Sequence, residues 1–279
     1  MNNIIDGKLV RDLKIEELKN KVNKLKDKLT LVVISVGDDE ASRVYVSQKE
    51  KFALKIGYNF KNLHFDKIDE SELIKEIEKL NKDSSITGII VQLPLPEYLD
   101  KNKIINSVSP SKDVDGLTNN NFLKLIKKED CFIPCTPKGI MSLLDYYKVD
   151  LQKRIVIVGR SELVGLPLFH LLLNRNATIT LCHSKTNNLK EITKDADILI
   201  VAVGKKGLIT KDMIKDGVVI IDVGINRVDG KIYGDVSEDC FEKASLMTPV
   251  PGGVGPMTVI SLMENVYLAY EKGLKNESR

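Results

Sequence analysis

The sequence predicts an α/β protein of two domains, each a mostly parallel sheet flanked by helices. Strand-length apolar runs alternate with helical patterns from end to end, which favours parallel strands joined by right-handed helical crossovers. At 279 residues, the chain is long for one hydrophobic core and comfortable for two. A long amphipathic segment at 256–272 ends the pattern, and no strand-like run follows it.

The first series of elements fills the N-terminal half. Strands are predicted at 29–37, 61–65 and 86–96, the last of which runs into a proline-rich loop. Between them, residues 42–57 have helical spacing closed by glycine, and residues 70–81 place their apolar side chains on one helical face.

The second series follows a connecting helix predicted at 136–147. Its strands are predicted at 155–159, 178–183, 197–204 and 218–224. Because a terminal helix often packs back onto another domain, we expect the first domain to be discontinuous. The predicted boundaries are 1–136 plus 257–279 for the first domain and 137–256 for the second.

Composition excludes several classes of protein. The 42 Lys and Arg against 39 Asp and Glu give a net charge of only +3, spread in alternating signs, which argues against a nucleic-acid-binding protein. The apolar runs are far shorter than a membrane span, and the N-terminus lacks a signal-peptide pattern. The four cysteines have no metal-site spacing, so we expect free thiols, no metal and a cytoplasmic protein.

The segment IVIVGRSELVGL at 155–166 nearly matches a dinucleotide-binding fingerprint, G-x-G-x-x-G after a strand. Gly159 and Gly165 are present, but Ser161 replaces the middle glycine, so a dinucleotide must lie differently or further out. Arg160 adds a cation where the amides of a helix N-terminus would face an anion. The segment by itself fits a variant phosphate site or an ordinary strand-to-helix turn.

The end of the next predicted strand, at 178–183, helps to decide between a phosphate site and an ordinary turn. NAD-binding domains carry an acidic residue there, whereas this chain has His183, Ser184 and Lys185. A carboxylate would repel the 2′-phosphate of NADP, while Arg160, Ser184 and Lys185 suit it through charge-assisted hydrogen bonds. The pattern therefore favours a Rossmann-type domain that binds NADP rather than NAD, with a plain polar loop as the alternative.

Candidate substrate residues lie in the first series. Tyr45 and Lys49 share a helix face, and Gln92 stands at the carboxyl end of a strand, where ligands bind in parallel sheets. Asp113 and Asp115 precede a loop glycine. A Tyr/Lys pair is also a common surface feature in a lysine-rich chain. These residues alone therefore do not decide between a substrate site and an ordinary surface.

Nine stretches in a fixed order carry a family resemblance. The chain resembles the bifunctional methylenetetrahydrofolate dehydrogenase/cyclohydrolase family along nearly its whole length. The stretches are YVSQKEK at 45–51, VQLPLP at 91–96, KDVDGLT at 112–118, PCTPKGIM at 134–141, VGRSELVGLP at 158–167, CHSKT at 182–186, IDVGIN at 221–226, GDV at 234–236 and TPVPGGVGPMT at 248–258.

The resemblance implies an activity. Such enzymes oxidise 5,10-methylenetetrahydrofolate to 5,10-methenyltetrahydrofolate with NADP and hydrolyse the product to 10-formyltetrahydrofolate, in the one-carbon metabolism that serves purine biosynthesis. Folate is expected in the first domain and NADP in the second, with the chemistry in a cleft between them. Tetrahydrofolate derivatives are then the substrates, and a homodimer is implied, without a nucleic-acid or membrane partner.

The resemblance also implies residue roles. Lys49 is expected to be the catalytic group oriented by Gln92, with Tyr45 stacked on the folate ring and Asp115 bound to its amino-pyrimidinone edge. Asp113 is interpreted as a loop-capping residue instead. Further substrate contacts are expected from Ser42, Pro251, Gly252 and Gly253. Cofactor contacts are expected from Gly159, Arg160, Ser161, Val164, Gly165, His183, Ser184, Lys185 and Ile225.

Three alternatives remain at this point. The chain could be a dehydrogenase of the same family without the hydrolase activity. An NADP-linked dehydrogenase of amino or hydroxy acids would need a carboxylate-binding arginine, and neither Arg11 nor Arg43 lies in a convincing motif. An NADP-sensing module would not need the YVxxK, QLPLP and PGGVGP segments together.

Overall fold

The computed structural model describes residues 3–277, and this range folds as two compact α/β units. What we call the first unit contains Lys14–Cys135 and the chain from Val259 onward. The second unit contains Thr136–Thr258 and the chain up to Leu13. Each unit has its own parallel sheet, so the predicted fold class is confirmed.

The elements alternate as the sequence pattern indicates. The helices are α1 Gly7–Val22, α2 Glu40–Ile56, α3 Glu70–Lys82, α4 Lys101–Ser107, α5 Asn119–Ile126, α6 Cys135–Tyr146, α7 Gly165–Leu173, α8 Leu189–Lys194 and α9 Val254–Glu277. The strands are β1 Thr30–Val36, β2 Asn59–Phe65, β3 Gly88–Val91, β4 Arg154–Val158, β5 Thr178–Cys182, β6 Ile198–Val201, β7 Val219–Asp222, β8 Asn226–Val228, β9 Lys231–Tyr233 and β10 Leu246–Met247. Short 3₁₀ helices cover Lys211–Met213 and Glu238–Glu242.

The first unit is built on a parallel sheet in the order β2-β1-β3. Strand β1 is buried along its whole length, because α3 packs Leu73 and Ile77 onto the same core as Val32 and Ile34. Helix α2 starts where Asp39 accepts a hydrogen bond from the Ser42 amide, and it ends at a left-handed residue, Gly57. The chain leaves β1 toward β2 on one side and β3 on the other, so β1 and β3 flank a topological switch point.

The second unit has a parallel sheet in the order β10-β7-β6-β4-β5, with an antiparallel hairpin of β8 and β9 beside it. Strand β6 and residues 155–158 of β4 are continuous apolar runs because both of their faces are covered. The switch point lies between these two strands. Their carboxyl ends are therefore the expected position of a bound nucleotide.

The N-terminal boundary differs from the prediction, which put residues 1–136 in the first domain. The Ile5 amide donates to the Met247 carbonyl (2.8 Å), and Ile4 forms a parallel bridge with Met247. This segment thus extends the edge of the second unit's sheet beyond β10. Pairing with a distant two-residue strand leaves no local pattern, which is why sequence reasoning missed β10.

Helix α7 begins in unusually close contact with the turn that follows β4. A Cβ atom on Gly165 would lie 2.0 Å from the Gly159 carbonyl oxygen, far inside contact distance. Only glycine therefore allows the helix to start at this position, as the near-fingerprint predicts for its last glycine.

We expect Gly165→Ala to destabilise the protein by about 1–3 kcal/mol, because backbone must move to admit the methyl group. The measurement is the midpoint of thermal unfolding. Gly273→Ala is the matched control, since Gly273 lies in α9 and a Cβ atom there would have no neighbouring atom within 4 Å. That change should leave the midpoint the same or raise it. Equal midpoints for Gly165→Ala and the wild type would contradict the packing argument.

Candidate active site

Lys49 and Gln92 meet at the carboxyl edge of the first unit's sheet. Gln92 follows β3 directly and is only 7% exposed. The Lys49 Nζ atom donates to Gln92 Oε1 (2.7 Å), and Gln92 Nε2 donates to the Leu93 carbonyl (2.6 Å). Since both ends of the Gln92 amide are engaged, its carbonyl oxygen is held toward the lysine. The predicted pair is thus brought together.

Burial sets the protonation of this lysine. Removal from water lowers the pKa of Lys49 below its ordinary value, while the Asp115 carboxylate acts more weakly in the opposite direction. Lys49 is half-buried as a residue, and its amine is the poorly solvated end of the side chain. The first unit therefore provides a lysine that loses its proton more easily than a surface lysine does.

Asp115 lies beside the same amine. Its segment forms a parallel bridge between Asp113 and Ile89 and so runs alongside β3 toward Gln92. Burial raises the pKa of Asp115, and the nearby Lys49 and a hydrogen bond with Cys135 oppose that rise. The site thus contains a carboxyl group and an amine whose charged forms are both disfavoured by burial.

Asp113 has a different role from Asp115. It is 4% exposed and accepts hydrogen bonds from the Gly116 amide (3.0 Å), the Thr118 amide (2.8 Å) and the Asn121 side chain (2.8 Å). With its oxygens turned into its own loop, Asp113 holds that loop closed. The interpretation of Asp113 as a capping residue is confirmed.

Two further predicted substrate residues lie on α2. Ser42, Tyr45 and Lys49 share one face, because they are three and four residues apart. Ser42 is buried and its Oγ donates to the Leu93 carbonyl at 3.5 Å, whereas Tyr45 is 37% exposed. The exposed ring leaves aromatic surface available to a ligand on the face that carries the lysine.

Cys135 and Asn265 also support this loop, although sequence reasoning gave neither a role. Asn265, fully buried on α9, donates its side-chain N–H groups to the Val114 carbonyl (2.8 Å) and the Ile133 carbonyl (3.0 Å). The Cys135 thiol contacts the Val114 carbonyl at 3.6 Å. An asparagine inside a long apolar helix is the signal that could have marked such a buried partner.

The turn after β4 lies at the carboxyl edge of the second unit's sheet, beside the switch point. Gly159 has φ +122°, and a Cβ atom there would lie 2.2 Å from the Ala202 carbonyl oxygen beyond β6. Ser161, which replaces the middle fingerprint glycine, accepts a hydrogen bond from the Val164 amide through its Oγ (3.2 Å). The serine thereby closes the turn before α7, and the Arg160 side chain remains exposed.

The segment after β5 forms a polar turn next to it. The His183 amide donates to Thr186 Oγ1 (2.8 Å), and the Lys185 amide donates to His183 Nδ1 (3.1 Å). Because Val158 pairs with Cys182 in register, Arg160 and Ser184 each lie two residues beyond paired positions on the same sheet edge. Ser184 and Lys185 are exposed there, as a phosphate-binding pair would have to be.

The remaining predicted residues follow β7 and β10 on this edge. Ile225 comes three residues after β7 and is 47% exposed. The Gly253 amide donates to the Pro249 carbonyl (2.8 Å), and Gly252 has φ +115°, so residues 249–253 form a tight turn. Pro251 projects from it with an exposed ring. The turn belongs to the second unit.

A parallel sheet with a glycine turn at its switch point, in a chain that also buries a lysine of lowered pKa, is typical of a nucleotide-dependent α/β enzyme. Two family models match this chain: the catalytic domain of tetrahydrofolate dehydrogenase/cyclohydrolase over residues 5–115, and the NAD(P)-binding domain of the same family over residues 134–274. The chain belongs to the tetrahydrofolate dehydrogenase/cyclohydrolase family. The predicted family and enzyme class are confirmed, and the unrelated dehydrogenase and the sensing module are excluded.

Individual relatives agree over nearly the full length. The bifunctional protein FolD of Thermodesulfovibrio yellowstonii is 50% identical over 276 residues, covering 95% of this chain and 96% of the relative. The crystal structure of the bifunctional FolD enzyme of Campylobacter jejuni matches with a TM-score of 0.95 at 44% identity, covering 96% of this chain and 98% of its own. The Trypanosoma brucei enzyme, solved with NADP cofactor and an inhibitor, matches with a TM-score of 0.92 at 33% identity, covering 97% and 98%.

The different environments of the two loop aspartates lead to a stability prediction. Asp113→Asn puts an amide N–H₂ group against backbone N–H donors, and we expect a loss of about 2 kcal/mol in the free energy of unfolding. Asp115→Asn is the matched variant in the same loop and should cost less, because burial already disfavours the carboxylate there. Urea titration of both variants tests this. The reverse order of stabilities would show that Asp113 does not hold the loop.

Proposed function

We propose that this chain oxidises 5,10-methylenetetrahydrofolate with NADP and hydrolyses the resulting 5,10-methenyltetrahydrofolate to 10-formyltetrahydrofolate. The observation that carries the proposal is the buried amine of Lys49 held by Gln92 beside Asp115. Family membership supplies the two activities, and this arrangement supports their occurrence together in one chain.

The oxidation requires positioning more than proton transfer. Hydride leaves the carbon that bridges two folate nitrogens, and their lone pairs stabilise the cation that forms. When bound, NADP accepts this hydride. No hydroxyl proton has to be removed, so the residues of this chain need only hold the bridge carbon in place. This agrees with a chain that contains three histidines.

The hydrolysis needs a proton acceptor. Water attacks the cationic carbon and loses both of its protons as the formyl group forms. One proton goes to solvent, and the other goes to the nitrogen that leaves the ring. Neutral Lys49 can accept and return that proton, and the cation bound nearby lowers its pKa further than burial alone. The Gln92 carbonyl accepts one of the amine's N–H groups and thereby orients its lone pair.

Substrate binding is assigned to residues around the amine. Asp115 offers two carboxylate oxygens to the paired donors of the amino-pyrimidinone edge, and Tyr45 offers a ring face to the pterin. Ser42 borders the same region of α2. Residues 251–253 are proposed as further substrate contacts, because their glycines allow close approach to backbone amides.

NADP is proposed as the cofactor in preference to NAD. The exposed Arg160, Ser184 and Lys185 occupy the edge where an NAD-binding domain would place a carboxylate. Gly159, Ser161, Val164 and Gly165 form the turn for the pyrophosphate, and His183 and Ile225 border the same edge. The Trypanosoma brucei relative with bound NADP supports this choice.

A cytoplasmic homodimer completes the proposal. The family resemblance suggests the dimer. All four cysteines, which lie in the described range, have free thiols, as is typical of a reducing compartment. Within residues 3–277, no helix is long and apolar enough to span a membrane.

We expect Lys49→Met to reduce hydrolysis of methenyltetrahydrofolate by at least about 10²-fold, because the proton acceptor is lost. Substrate affinity, measured by fluorescence titration, should stay within a few-fold. The wild-type rate should rise with pH through the lowered pKa of Lys49, since the neutral amine is the active form.

Lys51→Met is the matched control, because Lys51 is an exposed lysine on the same helix. It should hydrolyse at the wild-type rate. Undiminished hydrolysis by Lys49→Met would refute the role of Lys49.

We expect Arg160→Ala and Lys185→Ala each to raise the KM for NADP about tenfold, because a charge-assisted hydrogen bond of about 1.4 kcal/mol is lost. The KM for NAD should change little, since NAD lacks the 2′-phosphate. Lys153→Ala, an exposed lysine just before the opposite end of β4, serves as the control. Parallel increases for NADP and NAD would contradict a 2′-phosphate site.

A further inference from the structure

Two buried aspartates connect the loops at the carboxyl edge of the second unit's sheet. Asp235 is fully buried, yet its two oxygens accept four hydrogen bonds. Its Oδ2 accepts from the amides of Val203 (2.7 Å) and Gly204 (2.9 Å), and its Oδ1 accepts from the Lys205 amide (2.8 Å) and the Asn226 side chain (2.9 Å). One carboxylate thus holds the loop after β6 and the start of β8.

Asp222, at the end of β7, continues this network. Its Oδ1 accepts from the amides of Gly224 (3.0 Å) and Asp235 (2.9 Å), and its Oδ2 accepts from the Val236 amide (2.9 Å). Its own amide donates to Thr248 Oγ1 (2.7 Å), at the start of the turn that contains Pro251. The hydrogen bonds therefore run from the loop after β6, through both aspartates, to the turn after β10.

Two glycines lie so close to these carboxylates that neither position has room for a side chain. A Cβ atom on Gly224 would lie 2.2 Å from Asp235 Oδ1, and one on Gly234 would lie 1.8 Å from Asp222 Oδ2. Burial raises the pKa of Asp222 to about 6, and its hydrogen bonds only partly offset that rise. Burying two carboxylates is costly, and a compact core does not require it. The arrangement therefore indicates a positioning role.

The segments held in this way present two apolar side chains to solvent. Val203, whose amide is bound by Asp235, is 45% exposed, and Ile225 is 47% exposed. Ile225 stands between Gly224, held by Asp222, and Asn226, held by Asp235. Both side chains follow the strands β6 and β7, next to the switch point where a nucleotide is expected.

We propose that Asp235, supported by Asp222, is a positioning residue that holds Val203 and Ile225 as apolar contacts for the dinucleotide cofactor. The role concerns the oxidation and not the hydrolysis, which uses no cofactor. The inference rests on the NADP use proposed above. Neither aspartate touches the reacting atoms.

The test is Asp235→Asn, in which an N–H₂ group faces two N–H donors. We expect the KM for NADP to rise about tenfold or more, since two hydrogen bonds to a charged acceptor are lost. The hydrolysis of methenyltetrahydrofolate, measured without cofactor, should stay within about twofold, because Lys49 and Gln92 lie in the first unit and the turn after β10 keeps its hydrogen bonds at Thr248 and Pro249, which do not involve Asp235. A purely structural role would reduce both activities together.

A rescue variant makes the test specific. In Asp235→Asn combined with Asn226→Asp, the new amide can donate to the new carboxylate, which restores the contact between positions 226 and 235 with the donor exchanged. We expect the KM for NADP to return part of the way toward the wild-type value. Should Asp235→Asn fail to fold, Asn226→Ala removes the hydrogen bond to Asp235 (2.9 Å) and a longer one to the Tyr233 carbonyl (3.3 Å) but leaves the carboxylate, and a few-fold rise in the NADP KM is expected.

The outcomes distinguish a failure of the proposed function from a failure of the positioning role of Asp235. A wild-type chain without NADP-dependent oxidation would refute the proposed function. An active wild type with an unchanged NADP KM in Asp235→Asn, or in Asn226→Ala where that variant is used, would refute the positioning role alone. A parallel loss of oxidation and hydrolysis would refute it as well.

Discussion

The chemistry proposed for this protein depends on one electrostatic constraint, the poor solvation of the Lys49 ammonium group. Burial lowers the pKa of the amine, and the partner within hydrogen-bonding distance is the neutral amide of Gln92. A carboxylate at position 92 would place a full negative charge 2.7 Å from the amine and favour the ammonium form. Because burial also raises the pKa of Asp115, the strongest nearby source of negative charge is itself weakened.

Two parallel sheets place the candidate functional residues at their carboxyl edges. In each sheet the chain reverses its direction of strand addition between two adjacent strands, β1 and the edge strand β3 in the first unit and β4 and β6 in the second. Gln92 follows β3, and Gly159 follows β4, so the candidate site residues of each unit lie at the switch point of that unit's sheet. The same geometry explains why residues far apart in sequence, such as Ser184 and Ile225, lie along one sheet edge.

Sequence reasoning succeeded where the structural cause is local. Glycine at 57 and 165, the helical spacing of Tyr45 and Lys49, and the capping role of Asp113 follow from turn and helix geometry within a few residues. It failed where the cause is distant. Strand β10 has two residues and pairs with β7 and the N-terminal segment, so no periodicity could reveal it. In the sequence, Asp235 stood out only as part of the stretch GDV at 234–236, which carries the family resemblance. Its own role was hidden because the four groups that donate to its carboxylate come from other segments of the chain.

The near-fingerprint after β4 shows how a motif can lose a residue and keep its geometry. The two retained glycines are the ones that sterics require, since any side chain at 159 or 165 would overlap a backbone carbonyl. The middle position does not require glycine, and the Ser161 hydroxyl there accepts a hydrogen bond from the Val164 amide. That hydrogen bond satisfies one of the amides that a glycine would have left for a phosphate. In the proposed NADP site, the exposed side chain of the adjacent Arg160 would add a full positive charge at this edge.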